Sequence, residues 1–139
     1  MNKILTLEYL ATEYFEKNSG ELITSPDELI HVAMCILDGN KFKVYIKRKT
    51  LKHFVERRKE DLIKRHTKDR SLEIILGMLV DLSYAITFNT RVDANPKREN
   101  SLLFYKDFDT PLKTPVTVVT EIIENKNDLL IITYYFTKR

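Results

Sequence analysis

The chain has 139 residues and a mass of 16.4 kDa, with 43% hydrophobic and 31% charged residues. That composition supports one hydrophobic core of ordinary size and excludes a disordered tail. A single cysteine, Cys35, excludes an internal disulfide, and the three histidines show no zinc-ligand spacing.

The elements follow from periodicity and punctuation. Leu7, Leu10, Ala11, Tyr14 and Phe15 recur at helical spacing, which predicts a helix over 6–17 stopped by Gly20. Ser25-Pro26-Asp27-Glu28 reads as a capped helix start, and predicts a second helix through Leu29, Ala33 and Ile36 to Gly39. Residues 41–48 alternate, with Phe42, Val44 and Ile46 on one side and Lys41, Lys43, Tyr45 and Lys47 on the other. That is a half-buried strand with a basic outer face. Thr50 then offers a cap for a helix over 51–66, and Ser71 one for a very apolar helix over 71–86. Beyond residue 86 the period changes to strands, at 87–93, 101–108, 116–124 and 129–137. Asn125-Lys126-Asn127-Asp128 makes a hairpin turn between the last two. The expected fold is α+β, with N-terminal helices packed on a C-terminal antiparallel sheet of about four strands. It forms one domain over 1–139, divided into an acidic helical region, 1–40, and a core, 41–139. The longest apolar run is broken by Asp81, and Met1-Asn2-Lys3 leads into Glu8 and Glu13 without a secretory core. A cytoplasmic protein without membrane association is expected.

The net charge of +3 conceals a strong asymmetry. Residues 1–40 carry two Lys against seven Asp/Glu, residues 41–70 carry thirteen Lys/Arg against four, and residues 71–139 carry eight against nine. The basic segment coincides with one strand and one helix. In that helix Leu51, Phe54, Val55 and Leu62 form an apolar stripe, which Arg58 also enters. His53, Arg57, Glu60 and Lys64 lie opposite. Such a face is either a solvated surface or a binding site for phosphates, in which an imidazole could move a proton near neutral pH.

A basic strand leading into Lys52-His53-Phe54-Val55-Glu56-Arg57-Arg58, an apolar helix, and a terminal Thr133-Tyr134-Tyr135-Phe136-Thr137 strand resemble the barnase–EndoU–colicin–RelE (BECR) superfamily. These are small metal-independent ribonucleases, and the versions on phages and other mobile elements are the most similar. The resemblance covers about residues 41–139. It implies an endoribonuclease toxin or effector that needs no cofactor or metal and cleaves RNA through attack by the 2′-hydroxyl. His53 would be a general acid or base, and Arg57 or Arg58 would contact the scissile phosphate. Thr133, Tyr135 or Thr137 would project from the last strand into the same cleft. RNA would be held by Lys43, Lys47, Arg48, Lys49, Lys52 and Lys64, and the partners would be RNA and an antitoxin or immunity protein. Alternation along the last strand would put Leu129, Ile131, Thr133, Tyr135 and Thr137 on one face. The rival readings are a catalytically inactive nucleic-acid-binding module and a protein-interaction module on the same fold. A further expectation, from charge complementarity, is that residues 1–40 cover the basic face.

Overall fold

The computed structural model describes residues 7–17, 25–123 and 127–137. Gly20 and much of the 125–128 turn lie outside the described residues. The elements are α1 (Leu7–Glu16), β1 (Leu29–Leu37), β2 (Asn40–Lys47), α2 (Arg48–Leu62), α3 (Lys68–Thr87), β3 (Arg91–Ala94), β4 (Ser101–Lys106), β5 (Val116–Ile123) and β6 (Asp128–Phe136). The chain is α+β, with six strands in one sheet among the described residues rather than about four, in the order β1-β2-β6-β5-β4-β3. The residues fall into two compact units, Met1–His31 with Ile46–Val80 and Val32–Tyr45 with Asp81–Arg139. Each unit draws on chain from both sides of residue 40.

The expected second helix is a strand, and the reason is local. Ser25 adopts φ 55° and accepts a hydrogen bond from the Glu28 amide at 3.0 Å, so Ser25-Pro26-Asp27-Glu28 is a closed turn and not a helix cap. At the far end Asp38 and Gly39 have φ of 51° and 78°. Two successive positive φ values belong to a two-residue hairpin, for which Asp-Gly is a preferred sequence. Between these turns lie the β-branched residues Ile30, Val32 and Ile36, and Ile30, Ala33 and Cys35 are buried. Among the described residues, 1–40 therefore hold one of the two expected helices, α1, and a strand, β1, in place of the other.

In the first unit α1 packs on α2. Leu7, Leu10, Ala11, Tyr14 and Phe15 are buried on α1, and Leu51, Val55 and Leu62 on α2. Each of the buried Leu, Val and Phe side chains contributes about 1.5–3 kcal/mol by leaving water. Helix α2 starts three residues earlier than expected and without a side-chain cap. The Arg48 and Lys49 amides instead donate to the carbonyls of Glu28 (2.9 Å) and Pro26 (3.0 Å), so the 25–28 turn takes the role expected of Thr50. Helix α3 is capped by Thr67, whose Oγ1 accepts from the Arg70 amide at 3.1 Å. Ser71, the expected cap, lies inside the first turn and donates its hydroxyl to the Thr67 carbonyl.

In the second unit β3–β4, β4–β5 and β5–β6 are antiparallel. Phe104, Val118 and Ile131 are buried at the centre of this sheet. A register shift lies between Val119 and Thr120: Thr120 faces Ile131, whereas Val119 faces Thr133. The extra residue, Ile132, makes a β-bulge and reverses the alternation of β6.

Candidate functional site

Helix α2 presents the chemistry-bearing side chains because its other side is consumed by the core. With Leu51, Val55 and Leu62 buried, His53, Arg57 and Glu60 are exposed, at spacings of four and three that keep them on one face. They line an open cleft of about 630 Å³ together with Glu56, Lys59 and Ile63, with Tyr14 of α1 and with Lys17 just beyond its end. The cleft lies wholly within the first unit. Sequence reasoning misses six of its residues, Tyr14, Lys17, Glu56, Lys59, Glu60 and Ile63, as members of a site. Tyr14 has no signal there, because it counts as one more apolar position on an amphipathic helix. Glu60 has one, its place on the face of His53 and Arg57.

Most charges around the cleft are already engaged. The Lys59 ammonium donates to the Phe15 carbonyl at the end of α1 and lies 4.7 Å from the Phe15 ring centroid. Glu56 is held by Lys52, and Lys17 pairs with Glu13 at 3.3 Å. Tyr14 accepts from Arg48 Nη1 at 3.5 Å, while Arg48 Nη2 donates to Glu28 Oε2 at 3.0 Å. Burial of Arg48 works against its charge, but the hydrogen bonds to Glu28 and Tyr14 outweigh this and push its pKa up. His53, Arg57 and Glu60 make no ion pair among the described residues. A base or acid, a cation and a carboxylate therefore share one cleft, without ion pairs to any described residue.

The remaining sequence-derived candidates divide sharply. Arg58 is half-buried, with its guanidinium 5.5 Å from the Phe54 ring centroid, and does not line the cleft. That stacking is how a guanidinium is accommodated beside an apolar stripe. Lys47 and Lys49 both reach Asp27, at 3.7 and 3.1 Å. The hydrogen bond and charge of Lys49, then Lys47, hold the Asp27 carboxyl below its ordinary pKa. With Arg48 on Glu28 and Lys52 on Glu56, four of the six expected RNA-binding cations are paired within the fold. Lys64 is exposed and forms no ion pair among the described residues. Lys43 is exposed on β2, with its amide donating to the Asn127 carbonyl at 3.3 Å.

Thr133, Tyr135 and Thr137 belong to the second unit. The β-bulge overturns the expected common face. Leu129 and Ile131 share a face with Tyr134 and Phe136, while Thr133 and Tyr135 lie on the other with Thr117 and Val119. Thr133 and Tyr135 are exposed, but the Thr137 hydroxyl is engaged with that of Thr117 at 2.5 Å. His66 follows α2, where its backbone amide donates to the Leu62 carbonyl. Burial pushes the Cys35 thiol up to about 11, which keeps it protonated and unreactive at neutral pH.

Among the described residues no group of three or more His, Cys, Asp or Glu could hold a metal ion, and no helix is long and apolar enough to cross a membrane. Compared with family models, curated proteins and solved structures, the chain matches none.

Proposed function

We propose that the chain is a metal-independent endoribonuclease of the BECR kind, a cytoplasmic toxin or effector of a phage or mobile element. The observation that supports this most is the convergence of His53, Arg57 and Glu60 in one open cleft with no competing ion pair among the described residues. The sequence resemblance adds the family to that geometry.

Cleavage by the RNA's own 2′-hydroxyl needs three things: removal of its proton, protonation of the departing 5′-oxygen, and a cation for the charge that grows on phosphorus. Arg57 lies between the other two along α2, so a phosphate on its guanidinium has a carboxylate on one side and an imidazole on the other. Glu60 takes the 2′-hydroxyl proton and His53 gives one to the 5′-oxygen. The 2′-oxygen bonds to phosphorus as the bond to the 5′-oxygen breaks, which leaves a cyclic phosphate and a 5′-hydroxyl.

The test is incubation of the purified chain with single-stranded RNA in EDTA. The expected result is fragments ending in 2′,3′-cyclic phosphate. No fragments, or fragments only after a divalent metal is added, would refute the mechanism. RNA binding without product would assign the chain instead to a silent nucleic-acid-binding module.

A further inference from the structure

The 25–28 turn places a carboxylate where two cations meet. Asp27 Oδ1 is 3.1 Å from Lys49 Nζ and 3.7 Å from Lys47 Nζ, and its side chain is 69% exposed. The turn does not depend on that carboxylate for its position. Backbone bonds hold it: the Glu28 amide to Ser25, the Arg48 amide to Glu28 and the Lys49 amide to Pro26. The less exposed Arg48–Glu28 pair, at 3.0 Å, anchors it further. Exposed ion pairs of this kind contribute little to stability. What they do is offset one of the two positive charges of a lysine pair in the most basic part of the chain.

A phosphodiester carries the same single negative charge as a carboxylate and offers two unesterified oxygens to ammonium groups. We propose that Lys47 and Lys49 form a backbone-phosphate subsite for single-stranded nucleic acid, which Asp27 occupies until the strand displaces it. This rests on the reading of the chain as acting on RNA, and adds to it a gated contact for the substrate backbone. Entry of the strand exchanges one anion for another. The affinity and its salt dependence are therefore held below what the lysine count implies.

Binding of a fluorescein-labelled oligothymidylate, followed by anisotropy over a series of salt concentrations, tests this without cleavage. That probe lacks the 2′-hydroxyl, so a failed ribonuclease reading shows in the RNA assay and a failed gate shows here. Asp27→Asn is expected to tighten binding roughly three- to tenfold at low salt and to steepen the log–log salt slope by about one unit. Lys47→Gln/Lys49→Gln in the Asp27→Asn background is expected to reverse the gain. Glu73→Gln removes the same charge from the exposed pair with Arg70 and is expected to leave binding unchanged. Equal affinity for Asp27→Asn and the parent overturns the proposal. So does an equal gain from Glu73→Gln, or an absence of binding by every variant. Matching thermal unfolding of parent and Asp27→Asn keeps the comparison on binding, since Asp27 is exposed.

Discussion

Two stretches of the same strand–helix unit, 47–52 and 53–60, carry similar side chains and differ in what those side chains do. In the first, Lys47, Arg48, Lys49 and Lys52 each have a carboxylate partner, from Asp27, Glu28 or Glu56. In the second, His53, Arg57 and Glu60 open into a cleft and pair with nothing among the described residues. A count of basic residues ranks the first stretch as the binding surface. Pairing ranks the second, because a cation already opposite a carboxylate offers an incoming phosphate an exchange of partners and little net attraction.

The sharpest way to break this contrast is Arg57→Ala. Loss of the cleft guanidinium, which has no ion pair among the described residues, is expected to lower RNA cleavage by roughly a hundredfold or more, the usual effect of removing a preorganised donor to a charged transition state. Arg57 is exposed, so the urea unfolding midpoint is expected to stay where it was. A variant that cleaves normally would move the site off α2. His53→Ala is expected to cost no more than about a hundredfold, the low end for a general acid, because water replaces part of its role. Single-turnover rates measure both. A larger loss for His53 than for Arg57 would mean that proton transfer contributes more to the rate than stabilisation of the phosphate's charge.

The sequence showed these two residues together because both readings need only one helix and its period. It showed α2, α3 and β4–β6 to within a few residues for the same reason, since each is a strong local pattern. It failed where a local signal had two meanings. Ser-Pro-Asp-Glu fits a helix start or a turn, and Gly39 fits a helix end or half of an Asp-Gly hairpin. The choice lies in the sign of φ at Ser25 and Asp38, and in a sheet that gives β1 a neighbour in β2. The bulge at Ile132 was invisible for a related reason. Alternation counts residues, and one extra residue moved Thr133 and Tyr135 to the opposite face without changing the pattern of types. The pairing of Asp27 with Lys47 and Lys49 was legible only as an imbalance of charge.

The paired stretch makes a prediction about stability where the unpaired one makes a prediction about rate. Arg48→Met removes a guanidinium held by Glu28 and Tyr14 and is expected to cost about 1–3 kcal/mol in urea unfolding. Its Nε is buried without a hydrogen-bond partner among the described residues, which offsets part of what the pair contributes. A rise in stability would mean that the desolvation of Arg48 exceeds the value of both bonds.

The smallest expected effect carries the same logic to β6. Thr137 was a candidate for the cleft, yet its hydroxyl is bonded to that of Thr117, which is 5% exposed. Thr117→Val leaves Thr137 without that partner, and Thr137→Val leaves a buried hydroxyl on Thr117 unsatisfied. Each is expected to cost about 1 kcal/mol, with the second slightly the worse because Thr117 is the more buried. The double variant is expected to cost less than the two together, since neither hydroxyl then remains to be satisfied. If the hydroxyl pair is structural, RNA cleavage by all three variants stays at the parent rate. A selective fall in rate for Thr137→Val, with no change in unfolding, would make Thr137 an unpaired functional group in solution and erase the distinction between it and exposed Thr133.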